Sequence, residues 1–387
     1  MSTNRLYYQD CYISKFPVRV VDSTENGRRV YLESTAFYPT SGGQPHDVGT
    51  LGSQEVIDVI DEGDRIAHLL AEPLNGSALE ARLDWSRRYD HMQQHTGQHL
   101  LSAVFVELLD AQTLSFHMGP EVSSIELSVK DLSASQIDHV EQRVNSIVWE
   151  ARPVNILFED ANSVQGLRKA SGRTGTLRVI EINGVDRSAC GGTHVRSTAE
   201  LGPIQVLRCE RVRGHMRAEF VCGGRALRHS KQKHRTLAEL SRIASAAWDK
   251  LPEYFGSMRD RLSEAEKTQQ RLVSELARRD GEQTYRDAVP SSDGIRRLTL
   301  QVQTIDEASR IKAQSFAKLP KALALITGTE PPGVLLACSP DSGINAGALL
   351  KDALSRAGGR GGGSATLAQG GLADKSVLDF LKTQLGF

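Results

Sequence analysis

The 387-residue sequence has no apolar run near the roughly 20 residues that a membrane-spanning helix requires. Its opening, MSTNRLYYQDCYISKF, lacks the apolar core of a secretory signal. Both absences point to a cytoplasmic chain. Neither sign of charge is in excess: 47 basic and 47 acidic side chains give a formal net charge of zero. A nucleic-acid partner would therefore have to be held by local patches and not by the field of the whole molecule. Cysteine is sparse. Cys11, Cys190, Cys209, Cys222 and Cys338 are scattered and odd in number, which suits reduced thiols better than a disulfide framework. The length predicts two to four domains.

Hydrophobic patterning predicts an α+β, multidomain chain. Residues 1–85 read mainly as strands: CYISKFPVRVVDS, RRVYLESTAF, VGTLGSQEVIDVIDEGDRIAHLL and SALEARLD are apolar or alternating runs broken by Gly, Asp and Asn. Short strands with turn signals predict a small β-barrel or open sheet. Inside them lies FYPTSGGQP, read either as a hairpin connection or as a binding loop. Residues 86–225 mix both periodicities and form a second, α/β segment. QQHTGQHLLSAVFVELL places Leu100, Leu101, Val104, Phe105 and Leu108 at helical spacing. SASQIDHVEQRVNSIVWEARP is an amphipathic helix ended by Pro153. Residues 226–288 read as a polar helical linker, with a stripe too sparse for a strong coiled coil. Residues 289–387 alternate strands and helices and predict a small C-terminal α/β domain. Within it GGRGGGSATLAQGG, residues 358–371, reads as a Gly-rich binding loop.

HTGQH and CGGTH carry the chemistry. On a helix His95 and His99 lie one turn apart on the same face, so their imidazoles can converge on one ion. Cys190 and His194 are also four apart, with two glycines that let the backbone turn tightly. Three nitrogens and one sulfur suit tetrahedral Zn²⁺. The glutamate of an HExxH peptidase is absent, since that position is Thr96. Cys11, Cys209, Cys222 and Cys338 read as small core residues.

HTGQH followed by CGGTH resembles the zinc motifs of the alanyl-tRNA synthetase editing domain. FYPTSGGQP looks like the Gly-rich loop of that domain's N-terminal β-barrel, and SFHMGPEVSSIEL like the segment after its zinc helix. GGRGGGSATLAQGG resembles the Gly-rich signature of the synthetase's C-terminal domain, called DHHA1, although Ser364, Ala365 and Thr366 stand where that signature often carries Arg-Pro-Asp. With no aminoacylation domain ahead of the barrel, the chain resembles the free-standing AlaX-type editing proteins in their long form. The resemblance implies a zinc-containing editing core on residues 86–225, a DHHA1-like domain on residues 289–387, and hydrolysis of mischarged tRNA(Ala), chiefly its seryl and in some members its glycyl ester. Zinc on His95, His99, Cys190 and His194 would take part in the chemistry, by positioning substrate or by activating water; a purely structural role is the alternative.

Serine differs from alanine by a hydroxyl, so discrimination needs a hydrogen-bonding pocket. The candidates are Thr35, Thr40, Ser41, Gly42, Gly43 and Gln44 around the barrel loop, with Gln98 and His117; Thr35 ranks first because its family counterpart is thought to contact the serine hydroxyl. Cations for tRNA are expected from Arg208, Arg211, Arg213 and Arg217, from Arg168, Lys169 and Arg173, and from Arg360 with Gly361, Gly362 and Gly363. The C-terminal domain would bind the outer corner of the tRNA and could form a homodimer. Two other readings are editing of another ester such as seryl-tRNA(Thr), and a non-catalytic tRNA-binding factor with structural zinc. A DHH-type phosphoesterase is disfavoured, because the sequence has no Asp-His-His triplet.

Overall fold

The structure, a computed structural model, describes residues 2–74 and 78–387. The chain divides into two compact units, Met1–Glu239 and Leu240–Phe387. None of its described helices is long and apolar enough to cross a membrane.

The first unit begins with β1 (Asn4–Arg5), β2 (Lys15–Thr24), β3 (Arg29–Leu32), β4 (Ser34–Thr35), β5 (Gly49–Leu51), β6 (Gln54–Asp61), β7 (Ile66–Leu70) and β8 (Ala78–Leu83). Six of them close a barrel in the order β2-β3-β7-β6-β5-β8, while β1 pairs with β4 in parallel. Ser77, the first residue of the run expected as the last barrel strand, lies outside the described residues. Alternation drives closure: Phe16, Val18, Val30, Leu32, Val56, Val59 and Ile66 point inward and are buried.

The chain then forms α1 (Trp85–Leu109), β9 (Thr113–Met118), β10 (Ser123–Leu127), α2 (Ala134–Trp149), β11 (Val154–Asp160), β12 (Thr176–Ile182), β13 (Asp186–Ala189), β14 (Ile204–Val212) and β15 (His215–Cys222). Two antiparallel sheets result, β14-β15-β10-β9 and β11-β12-β13. Helix α1 starts on an Asp84 N-cap and α2 on a Ser133–Gln136 capping box. Leu100, Leu101, Val104 and Phe105 of α1 share one core with Val140, Val144 and Ile147 of α2. Leu108, expected on the same stripe, is exposed at the end of the helix.

The barrel and the following core, expected as separate domains meeting near residue 85, share one unit. Arg88 explains how they are joined. Fully buried on α1, it ion-pairs with Asp47 and donates to the carbonyls of Cys11 (2.8 Å) and Ala36, all three on the barrel side. Asp47 in turn accepts the Tyr38 N–H at 2.7 Å. A buried guanidinium with these partners locks the entry to α1 onto the FYPTSGGQP loop.

The expected helical linker is resolved into α3 (Gly223–Ala244) and α4 (Leu251–Asp287), and the unit boundary falls inside α3. The second unit continues with β16 (Arg296–Val302), α5 (Glu307–Ala317), β17 (Ala322–Thr329), β18 (Pro332–Cys338), α6 (Ala346–Arg356), β19 (Arg360–Gly363), β20 (Leu367–Gly371) and α7 (Leu378–Gln384). Its sheet runs β16-β17-β18-β20-β19, with only the β16–β17 pair parallel. Leu323 and Leu325 face Leu350 and Leu354 of α6, while Ala324 and Ile326 face Phe316 of α5. The Gly-rich segment is therefore not a loop but the β19–β20 hairpin. Its glycines answer a packing demand. A Cβ on Gly361 would meet the Gln369 carbonyl at 2.5 Å and Leu354 at 2.6 Å, so α6 can lie this close only on bare backbone.

Candidate metal centre and active site

His95 and His99 leave α1 toward the segment after β13, which carries Cys190 and His194. One ligand atom from each of the four lies within 4.8 Å of the others. Tetrahedral zinc would place such atoms roughly 3.3–3.8 Å apart, so the set is near closure, and Cys190 Sγ already lies 3.5 Å from His95 Nε2.

Each imidazole is held through Nδ1. His95 Nδ1 pairs with Gln44 Oε1 at 2.8 Å, His99 Nδ1 with Asp186 Oδ2 at 3.0 Å and His194 Nδ1 with Thr96 Oγ1 at 3.1 Å. Since Gln44 Oε1 and the Asp186 carboxylate can only accept, His95 and His99 donate from Nδ1. Thr96 Oγ1 also takes the Val195 N–H at 3.2 Å. The Nε2 atoms are thus left on the side where the four residues converge, an arrangement that would suit a bound metal. His194 Nε2 is buried without any partner among the described residues, the orphan that a metal bond would satisfy.

The electrostatics favour a thiolate at Cys190 and a neutral His194, whereas His99 keeps a proton that a metal would have to displace. Burial alone would raise the Cys190 thiol, but the facing imidazoles of His95, His194 and His99 outweigh it and hold the group well below the ordinary thiol range. Burial keeps His194 well below the usual imidazole range, hence neutral. Burial would also lower His99, but Asp186 and the Cys190 thiolate push it up to about 9. Asp186 is lowered although burial opposes this, because His99 and Arg168 both stabilise its charge. Arg168 Nε reaches Asp186 at 2.7 Å.

Local sequence explains the approach. A Cβ on Gly192 would lie 2.1 Å from His95 Cε1, so only glycine lets this turn pass under the ring. Gly97, between the two helix ligands, would bring a Cβ to 2.2 Å from Cys222 Sγ, and its absence lets α1 pack against β15. Arg178 Nη1 holds the Cys190 and Gly192 carbonyls at 2.7 and 2.9 Å.

His95, His99 and Cys190 line a cavity of about 530 Å³ together with Tyr8, Ser41, Gly42, Gln98 and Phe116. Of the expected pocket residues, Ser41, Gly42 and Gln98 are there. Gln98 donates Nε2 to Ser102 at 2.8 Å, which leaves its Oε1 to accept. Thr35, expected first in the pocket, is not among the lining residues. It is 0% exposed inside the barrel, where Oγ1 is 2.8 Å from His68 Nε2 and takes the Phe37 N–H at 3.1 Å. Thr40 is exposed and pairs with His46, and Gln44 stands behind His95. Gly43, with a positive φ, is pressed onto Phe116. His117 lines a different cavity: Thr113, Leu114, Ser115 and Phe116 of β9 border the metal side, while His117 and Met118 at its end border the other.

The expected arginine patch is largely neutralised. Arg208 pairs with Glu210, Arg217 with Glu126 at 2.8 Å, and Arg211 lies 4.0 Å from Asp131. Arg213 sits in the β14–β15 turn without a carboxylate partner among the described residues. Arg168, Lys169 and Arg173 all line the metal cavity, and Arg168 also ion-pairs with Asp186. Arg360 and Gly361, Gly362 and Gly363 lie on β19, in the second unit. Gln44, Thr96 and Asp186 were not legible as partners of the ligands: Gln44 was expected in the pocket, Thr96 stood out only as the position of an absent glutamate, and Asp186 carried no signal.

A family described as "Threonyl and Alanyl tRNA synthetase second additional domain" matches residues 177–217, from β12 through the cysteine–histidine segment into β15. The alanyl-tRNA editing protein AlaX-L of Pyrococcus horikoshii is 33% identical over 389 residues, covering 95% of this chain and 94% of that protein. The alanyl-tRNA editing protein Aarsd1 of Danio rerio is 30% identical over 290 residues, 70% of each. An alanine–tRNA ligase of Korarchaeum cryptofilum is 28% identical over 399 residues, 98% of this chain but 44% of the ligase. The chain thus spans less than half of that synthetase and nearly all of AlaX-L. It belongs to the alanyl-tRNA editing protein family.

Proposed function

We propose that this protein is an aminoacyl-tRNA deacylase that hydrolyses the ester of tRNA(Ala) wrongly charged with serine or glycine, with zinc held by His95, His99, Cys190 and His194. One observation carries the reading: three imidazoles locked through Nδ1 converge beside a thiolate, and His95, His99 and Cys190 of this set line an open polar cavity. The names of the editing relatives supply the substrate class. Bound there, zinc supplies a positive charge that can hold the aminoacyl group and polarise its ester.

The chain's own residues do the rest. Gln98 Oε1 is free to accept a hydroxyl proton at the cavity wall, so serine gains a hydrogen bond that alanine cannot make. Lys169 and Arg173 place positive charge on the same cavity for the phosphate of the terminal nucleotide. Phe116 gives an apolar wall against His95, with ring centroids 5.3 Å apart.

Deacylation of seryl-, glycyl- and alanyl-tRNA(Ala), with seryl-tRNA(Thr) as comparison, tests the proposal. Loss of serine with retention of alanine, abolished by a chelator and by Cys190→Ala, is the expected result. No hydrolysis of any of these esters by metal-loaded protein would refute it. A four-ligand set is the closed kind usual for structural zinc, which favours one alternative, a non-catalytic tRNA-binding factor. That reading requires unchanged tRNA binding and no hydrolysis in the wild type.

A further inference from the structure

A second cavity, of about 860 Å³, lies beside the metal cavity on the same pair of elements. The N-terminal half of α1 and the end of β9 line it, just as the middle of α1 and the start of β9 line the first. The loop between β4 and β5 crosses between them. Its Gly43 carbonyl accepts the Met118 N–H at 3.0 Å, and a Cβ on Gly43 would lie 2.5 Å from the Phe116 carbonyl. Gly42 and Phe116 belong to the metal side, Pro45 and His117 to the other. Three residues of chain span at most about 10 Å, so the two cavities are close neighbours on either side of this loop. Strand β9 is the edge of its sheet, so no further strand lies between them there.

The second cavity's lining is specific. Trp85 is 36% exposed and stacks at a tilt on Tyr89, with centroids 5.8 Å apart. Arg87 makes no carboxylate pair among the described residues; its Nε donates to the His46 carbonyl at 3.1 Å. Arg228 is exposed and only 3.8 Å from Asp90, which Arg225 already holds through both oxygens. His91 is 4% exposed, and its Nδ1 has no partner among the described residues. Partly exposed aromatic side chains beside solvent-facing guanidinium groups are how proteins hold single-stranded RNA.

We propose that this cavity seats the single-stranded nucleotides that precede the ester-bearing 3′ residue. A base would stack on Trp85, Arg87 and Arg228 would contact the phosphates, and His91 and His117 would meet a base edge. The proposal rests on the deacylase reading for its substrate, but the seat can be tested without the ester.

The test uses an uncharged RNA minihelix with the single-stranded CCA tail of a tRNA, and the same minihelix without it. Binding to the full chain is followed by fluorescence anisotropy over a salt series. The wild type should prefer the tailed RNA. Trp85→Ala should weaken tailed binding about tenfold or more and erase the preference. Because Trp85 also packs on Tyr12, Arg87→Ala/Arg228→Ala serves as an independent variant. It should erase the preference too and lower the salt slope by about 1.4, at roughly 0.7 per single-strand phosphate. A tail preference and slope unchanged in the double variant would overturn the proposal, as would a wild type that does not distinguish the two RNAs. The deacylase reading fails separately: preference for the tail without ester hydrolysis keeps the seat and removes the enzyme.

Discussion

Asp186 offers the sharpest check on the metal centre. Its carboxylate accepts from His99 Nδ1 at 3.0 Å and from Arg168 Nε at 2.7 Å, and its side chain is fully buried. Replacing it by alanine removes the acceptor that orients His99 and leaves a guanidinium and an imidazole N–H facing a gap beside the Ser188 hydroxyl, which already accepts from Arg168 Nη2 at 3.1 Å. Loss of such a partner typically weakens metal binding 10–100-fold, or about 1.4–2.7 kcal/mol at 1.36 kcal/mol per tenfold. Asparagine keeps an acceptor oxygen for Nδ1 but loses the charge. Asp186→Asn should therefore fall near the tenfold end and Asp186→Ala near the hundredfold end. Competition with a chelator of known zinc affinity, at one pH, reads the change directly, with circular dichroism to verify folding. Zinc affinities within twofold of wild type for both folded variants would refute the idea that Asp186 orients a ligand.

Three further outcomes follow from the packing. Arg88→Met strands the buried Asp47 carboxylate, so it should cost about 3–5 kcal/mol in urea unfolding of the full chain; a loss below 1 kcal/mol would show that the pair does not anchor α1. Gly97→Ala brings a methyl to 2.2 Å from Cys222 Sγ, an overpacking that costs about 1–3 kcal/mol against a helix-propensity gain of up to about 1 kcal/mol. Adding Cys222→Ala should recover stability, and an additive double variant would contradict the clash. His68 is fully buried and its pKa drops to about 4, against roughly 6.5 when unfolded. Between those values the unfolded chain binds a proton that the folded one refuses, so stability falls as pH falls through the window, by about 3 kcal/mol in all. His68→Gln should flatten that slope in urea midpoints between pH 7 and 4.5; an unaltered slope would rule His68 out as its source.

Much of the secondary structure was legible because it is written locally. Alternation in the first 83 residues and the 3.6-residue stripes of α1 and α2 mark their elements whatever surrounds them. The four ligand candidates were legible for the same reason, since i, i+4 spacing on a helix and a glycine-flanked turn are local geometry. The Gly-rich C-terminal segment misled because glycine reads as loop. Here it is strand, required bare by the approach of Leu354.

The sequence by itself determined which residues can bind a soft divalent metal and which stretches are strand or helix, because donor chemistry and backbone period belong to single residues and near neighbours. Only the tertiary structure decided what stands around them. Period-two alternation says that Phe116 and His117 face opposite ways but not which cavity each meets. Thr35 carries a pocket-forming hydroxyl in sequence and a barrel-core hydroxyl in space, spent on His68. Asp186, Gln44 and Thr96 become partners of the ligands, and Arg211 and Arg217 of the hairpin meet Asp131 and Glu126, through contacts between distant segments. Those contacts are set by how buried faces fit together, and no local pattern encodes them.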